Sequence, residues 1–151
     1  MKRLIRLIEL KDEKRWRELW LGYCQFYKMN LSEENVAHLW NRIHDQSSSV
    51  YAICSVDERG YIGGLAHYVL HESTSQLRPV CCLQDLFVDQ TIRNSGIGRE
   101  LIEWLLIEMK SKRWGRVYWH TSENNYKARA LYDKFTSQND FLRYVVDNPI
   151  K

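Results

Sequence analysis

Six residues constrain this chain more than any others: Arg93-Asn94-Ser95-Gly96-Ile97-Gly98, which stand between an apolar run and an amphipathic helical pattern. Upstream, Val80 to Val88 is apolar and long enough for a central strand, although Gln84 and Asp85 interrupt it. Downstream, Leu101, Ile102, Leu105, Leu106 and Met109 share one stripe, which predicts a helix from Gly96 to about Lys112. Glycines at such a junction let the backbone approach a ligand closely and take positive φ. The orphan N–H groups of the first helical turn, backed by the helix dipole, favour an anion there, and a pyrophosphate is the natural guest. The same residues also suit an ordinary tight strand-to-helix turn. No Gly-Lys-Ser/Thr ending follows, which argues against a P-loop. A dinucleotide-binding fingerprint would need a third glycine and a parallel βαβ opening.

The flanking pattern is that of a mixed α/β layer. Leu4 to Ile8 reads as an opening strand, and Trp16, Leu19, Trp20, Tyr23, Phe26 and Tyr27 recur at helical steps between about residues 11 and 28. Ser32 is placed to cap a second helix through Val36, Leu39, Trp40 and Ile43. Val50–Val56 and Tyr61–Leu70 form two antiparallel strands joined by the turn Asp57-Glu58-Arg59-Gly60. Val117–Thr121 is a further strand, Ala128, Leu131, Tyr132 and Phe135 form the buried stripe of a last helix, and Phe141–Val146 supplies a closing strand. With 151 residues and no linker or repeat, one domain over 1–151 is expected.

Composition removes several classes. The 22 basic and 19 acidic residues are scattered, so no basic face points to nucleic acid. Cys24, Cys54, Cys81 and Cys82 lack C-x-x-C spacing, so neither a zinc cage nor a disulfide framework is expected, and no metal is implied. No run of about 18 apolar residues is present and the first residues lack a signal-peptide stretch, so a cytoplasmic protein without a membrane partner is expected.

Arg-x-x-Gly-x-Gly after a strand resembles the coenzyme A signature of the GNAT acetyltransferases. A second family element, Asn125-x-x-Ala128-x-x-x-Tyr132, follows at the matching place. Leu83 to Asp89, Val117 to Thr121 and Ala130 to Lys134 are similar to the histone and polyamine branch, including the spermidine/spermine N-acetyltransferases. The Trp16–Tyr27 spacing matches that branch's first helix. The resemblance implies a GNAT fold, a central mixed sheet flanked by about four helices, and acetyl-coenzyme A as cosubstrate. It implies direct transfer of the acetyl group to a primary amine: a small amine, polyamine, amino acid or lysine side chain. A homodimer is expected from the family alone.

The same resemblance assigns roles. The backbones of Phe87 and Val88 would pair with the pantetheine arm like a further strand. Arg93, Asn94, Ser95, Gly96, Ile97, Gly98 and Arg99 would hold the pyrophosphate. Asn125 would bond the pantetheine arm, a role compatible with capping the last helix. Tyr132 would protonate the departing thiolate, as a phenol still protonated at neutral pH is able to do. Tyr23, Tyr27, Gln84, Trp119 and His120 would border the acceptor, although aromatics at helical spacing also suit core packing.

The amine sets the harder requirement. A lysine-type ammonium is neutral in only about one molecule in 2,500 at pH 7, a deficit of roughly 4.6 kcal/mol, so a proton acceptor is needed. In the spermidine/spermine enzymes this is a glutamate on the central strand. Gln84 stands at the matching position and cannot serve. Asp85 is the neighbouring carboxylate, but strand alternation turns it to the other face unless a bulge or a water intervenes. A water wire touching His120, or His67 or His71 on the third strand, are the alternatives, each histidine otherwise reading as a half-exposed strand residue. Gln84 also keeps open a second class: a catalytically weak acetyl-coenzyme A-binding module acting through a protein partner.

Overall fold

The computed structural model describes residues 2–150, which fall into two compact units, 2–120 and 121–150. In the first unit lie β1 (Arg3–Leu7), α1 (Glu13–Phe26), α2 (Glu33–His44), β2 (Val50–Asp57), β3 (Ile62–His71), β4 (Val80–Val88), α3 (Ile97–Lys112) and β5 (Val117–Trp119). The strands form one sheet in chain order; every neighbouring pair is antiparallel except β4 and β5, which are parallel. This is the mixed α/β architecture expected from the sequence.

Local chemistry explains the boundaries. Ser32 Oγ accepts from the Asn35 amide at 3.1 Å and so caps α2 as read from the sequence. The β2–β3 turn closes through Gly60, whose φ of 82° suits glycine. Asp57 Oδ1 accepts from the Arg59 and Tyr61 amides. One face of the sheet is covered by α1 and α2: Trp16, Leu19, Trp20, Val36 and Trp40 pack on Ala52, Cys54, Ile62, Leu65 and Phe87. Each such large side chain taken fully out of water contributes about 1.5–3 kcal/mol. The other face receives α3. The side chains of adjacent strand residues oppose one another, and Tyr68 meets Trp104 of α3 while His67 meets Trp16 of α1.

Close approach of α3 has a sequence cause. A Cβ at Gly64 would stand 2.6 Å from Ile97 Cγ2, so the bare backbone lets the first turn of the helix lie on β3.

The second unit holds α4 (Tyr126–Tyr132), capped by Asn125 Oδ1 on the Ala128 amide at 3.4 Å. Arg129 ties its ends together through the Glu123 carbonyl and Gln138 Oε1. Two expectations are corrected here. Phe141–Val146 is not a strand: β propensity forms a ladder only where a partner strand stands alongside, and these side chains are exposed. The stripe at Ala128, Leu131, Tyr132 and Phe135 is half-buried rather than buried, and Phe135 lies beyond the helix end. In the first unit, β5 ends at Trp119 rather than Thr121.

Candidate active site

The polar interruption of the central strand is a β-bulge. His67 pairs with Asp85 and Tyr68 with Leu83, so Gln84 is the extra residue on β4. Directly opposed residues of antiparallel strands share a face. Leu83 therefore lies with Tyr68 on the α3 side, and Asp85 lies with His67 on the α1 side. Simple alternation would have put residues 83 and 85 together; the bulge separates them and turns the carboxylate under α1. Gln84 is exposed.

Asp85 is held there. Its Oδ2 lies 3.0 Å from His67 Nδ1, and His67 Nε2 accepts from the Trp16 indole N–H at 2.9 Å. Trp16 and His67 are 0% and 2% exposed, against 17% for the Asp85 side chain, so the chain of bonds runs from the core outward to a carboxylate that reaches solvent. His67 is thus not the half-exposed strand residue expected. Trp20 packs edge-on against its ring at 4.8 Å.

Beyond the bulge, β4 loses its parallel neighbour. The pairing with β5 ends at Leu83 and Trp119, while β4 continues to Val88. The Asp89 amide bonds the Gly63 carbonyl at 2.9 Å. Alternation from that point directs the backbone groups of Phe87 to β3 and those of Leu86 and Val88 to the open edge. Leu86, not Phe87, therefore shares the open edge with Val88; the expectation for the Phe87 backbone is corrected by this parity. Phe87 instead places its ring against Tyr23, with centroids 6.2 Å apart.

The segment after β4 has the cradle geometry. Asn94 and Gly96 take φ of 66° and 89°, and Ser95 Oγ donates to the Ile92 carbonyl at 2.6 Å. Gly96 is the N-cap of α3 and, having no side chain, caps none of the first-turn amides, so those of Ile97, Gly98 and Arg99 stand at a helix start that favours an anion. Arg93 sends Nε to the Val88 carbonyl at 3.2 Å, its guanidinium over the rings of Phe26 and Phe87. Arg99 pairs with Glu103 at 2.8 Å. An open strand edge leading to a positively polarised helix start fits an extended arm ending in a diphosphate.

Of the other residues read from the sequence, Tyr23 is half-buried between Trp20 and Tyr27, Tyr27 is exposed at the end of α1, and Trp119 is half-buried at the end of β5. His120 is exposed, edge-on to Tyr118. His71 Nε2 lies 2.7 Å from the Tyr118 hydroxyl, away from the bulge on its own strand end. Asn125 and Tyr132 belong to the second unit, at the start and end of α4. The four cysteines are buried and in no disulfide; burial pushes the thiols of Cys54 and Cys81 up to about 12, which leaves them poor nucleophiles. Sequence reasoning weighed His67 singly and never joined it to Trp16. The signal was a histidine inside a run that buries nearly every neighbour, where both ring nitrogens need partners.

Comparison with known proteins decides the family. The model of the acetyltransferase (GNAT) family matches residues 13–136. The D-amino-acid N-acetyltransferase HPA3 of Saccharomyces cerevisiae is 31% identical over 142 residues, covering 93% of this chain and 88% of the yeast protein. The chain belongs to the GNAT acetyltransferase family. Solved structures show the same fold. The ribosomal-protein-alanine N-acetyltransferase from Brucella melitensis biovar Abortus 2308 superposes with a TM-score of 0.78 at 18% identity, over 97% of this chain and 100% of that one. An aminoglycoside acetyltransferase from an uncultured soil metagenomic sample gives 0.80 at 19%, over 99% and 97%. Membership of the GNAT family makes this chain an acetyl-transferring enzyme and implies acetyl-coenzyme A as its cosubstrate. Among the described residues no group of His, Cys, Asp or Glu is placed to hold a metal ion, and no helix is long and apolar enough to cross a membrane.

Proposed function

We propose that this GNAT enzyme acetylates the amino group of a free amino acid, with Asp85 taking the proton that the ammonium must lose. The acceptor class is supported by the likeness to the yeast enzyme named for D-amino acids. Polyamines and lysine side chains, suggested by the resemblance of the strand and helix motifs, are the competing acceptors. The observation that carries the catalytic part is the bulge at Gln84, which supplies the carboxylate the family's glutamate would otherwise provide.

The remaining roles follow the family. The open-edge backbone of Leu86 and Val88 binds the pantetheine arm, and Arg93 to Arg99 with their amides bind the diphosphate. When bound, acetyl-coenzyme A supplies the thioester carbon for direct attack by the amine. Tyr132 donates its proton to the thiolate, Asn125 bonds the arm, and Tyr23, Tyr27, Gln84, Trp119 and His120 border the acceptor. A single catalytic domain over 1–151 and a homodimer belong to the same reading through family likeness. Cysteines held as buried thiols suit a reducing compartment such as the cytoplasm.

The test is release of coenzyme A thiol with a panel of D- and L-amino acids, polyamines and lysine peptides. Turnover is expected with amino acids, and kcat/KM at least about tenfold higher than with spermidine would separate the two acceptor classes. A binding module would gain thermal stability with acetyl-coenzyme A yet show no amine-dependent release.

A further inference from the structure

His67 lies in the core, and a core imidazole needs partners for both nitrogens. It has them at 2.9 and 3.0 Å. An indole N–H can only donate. Nε2 of His67 is therefore the bare nitrogen, and the ring proton sits on Nδ1, from which it is donated to Asp85 Oδ2. Trp16 is itself fixed, 0% exposed and tilted against Trp40 of α2 at 4.9 Å. Rotating the imidazole would orphan two buried polar groups at once.

Resting on the reading of Asp85 as proton acceptor, we propose that His67, oriented by Trp16, is a positioning residue that holds one oxygen of the Asp85 carboxylate and confines the proton transfer to the other. In the step, the ammonium N–H bond breaks and an O–H bond forms on Asp85. The freed lone pair forms the N–C bond to the acetyl carbon, the C–S electrons leave with the thiolate, and the second proton that the nitrogen sheds on becoming an amide balances the one the thiolate takes up. His67 gains no proton, because accepting one at Nε2 means losing the bond from Trp16. Of the titratable groups on α1, Cys24 interacts with Asp85, while Tyr23 packs on Trp20 and Phe87. Burial first, and Asp85 second, push the Cys24 thiol up, so it stays a thiol. From α2 comes Trp40, with His44 edge-on to it at 4.3 Å.

Four variants and one spectrum test this. In His67→Leu, kcat is expected to fall about tenfold to a hundredfold with the KM for acetyl-coenzyme A unchanged. His67→Asn, whose amide nitrogen stands near the place of Nδ1, should recover most of that loss. Trp16→Phe, which removes the bond that orients the ring, should lower kcat in the same direction with the KM for acetyl-coenzyme A unchanged. Nitrogen-15 spectra of the wild-type enzyme should show His67 protonated on Nδ1 alone, a readout independent of activity. An Nε2-protonated ring, or equal kcat in His67→Leu and His67→Asn with only the melting temperature changed, overturns the proposal. If Asp85→Asn is inactive while both His67 variants match the wild type, the positioning role fails and the proton acceptor stands. If Asp85→Asn keeps full activity, the reading beneath it fails as well.

Discussion

Arg3 at the start of the sheet grips Glu100 in the first turn of α3 through Nε and Nη2 at 2.9 and 2.8 Å, and Nη2 also reaches the Ser95 carbonyl at 2.7 Å. Glu100 is a negative charge beside the helix start proposed to receive a diphosphate, and Arg3 balances it while fixing the preceding turn. Arg3→Met is expected to raise the KM for acetyl-coenzyme A about three- to tenfold with kcat nearly unchanged. Steady-state kinetics with acetyl-coenzyme A varied checks this; an unchanged KM would remove Arg3 from the support of the cradle.

Gly96 occupies the turn itself at φ 89°, and a Cβ there would make only an ordinary van der Waals contact, 3.6 Å from Arg3 Nη2. Conformation rather than crowding demands glycine there. Gly96→Ala should cost about 1–3 kcal/mol through backbone strain. It should also weaken acetyl-coenzyme A binding, read by isothermal titration, more than it lowers the kcat of the saturated enzyme.

Asp89 joins three elements: it accepts from Arg15 of α1 and from Tyr61, each at 2.5 Å, and from the amide and hydroxyl of Thr91. Burial pushes its carboxyl up, but the bonds from Tyr61, Thr91 and Arg15 outweigh this and hold it well below the usual carboxylate range. A depressed folded-state value stabilises the fold above the unfolded value of about 3.9, and that stability is lost as the pH falls through the folded value. The loss therefore lies entirely below about pH 4. Asp89→Asn should destabilise the protein by about 1–3 kcal/mol at pH 7. Urea unfolding at pH 7 and pH 3 should show the gap between wild type and variant narrowing in acid.

The local patterns were legible where one stretch of chain decides the outcome. The Ser32 cap, the Trp16, Leu19 and Trp20 part of the α1 stripe, the Asp57–Gly60 turn and the glycine junction before α3 all follow from neighbouring residues, whereas Phe26 and Tyr27, read into the same stripe, are exposed. The register-dependent features were not. Whether Asp85 faces α1 or α3 is set by a one-residue offset between β3 and β4, and a single strand does not report its partner's register. The same offset decides that Leu86 rather than Phe87 turns its backbone to the open edge. His67 finds Trp16 across 51 positions of sequence, which no local period encodes. Phe141–Val146 has the composition of a strand, but a ladder is a property of two segments.

The central claim is that a carboxylate carried under α1 by the Gln84 bulge removes the acceptor's proton. Its most direct test is the turnover number of Asp85→Asn beside the wild type, at saturating acetyl-coenzyme A and amino acid, with cofactor binding confirmed by titration. A fall of about a hundredfold or more with cofactor affinity retained is the predicted result. Equal turnover in the two enzymes would contradict the account.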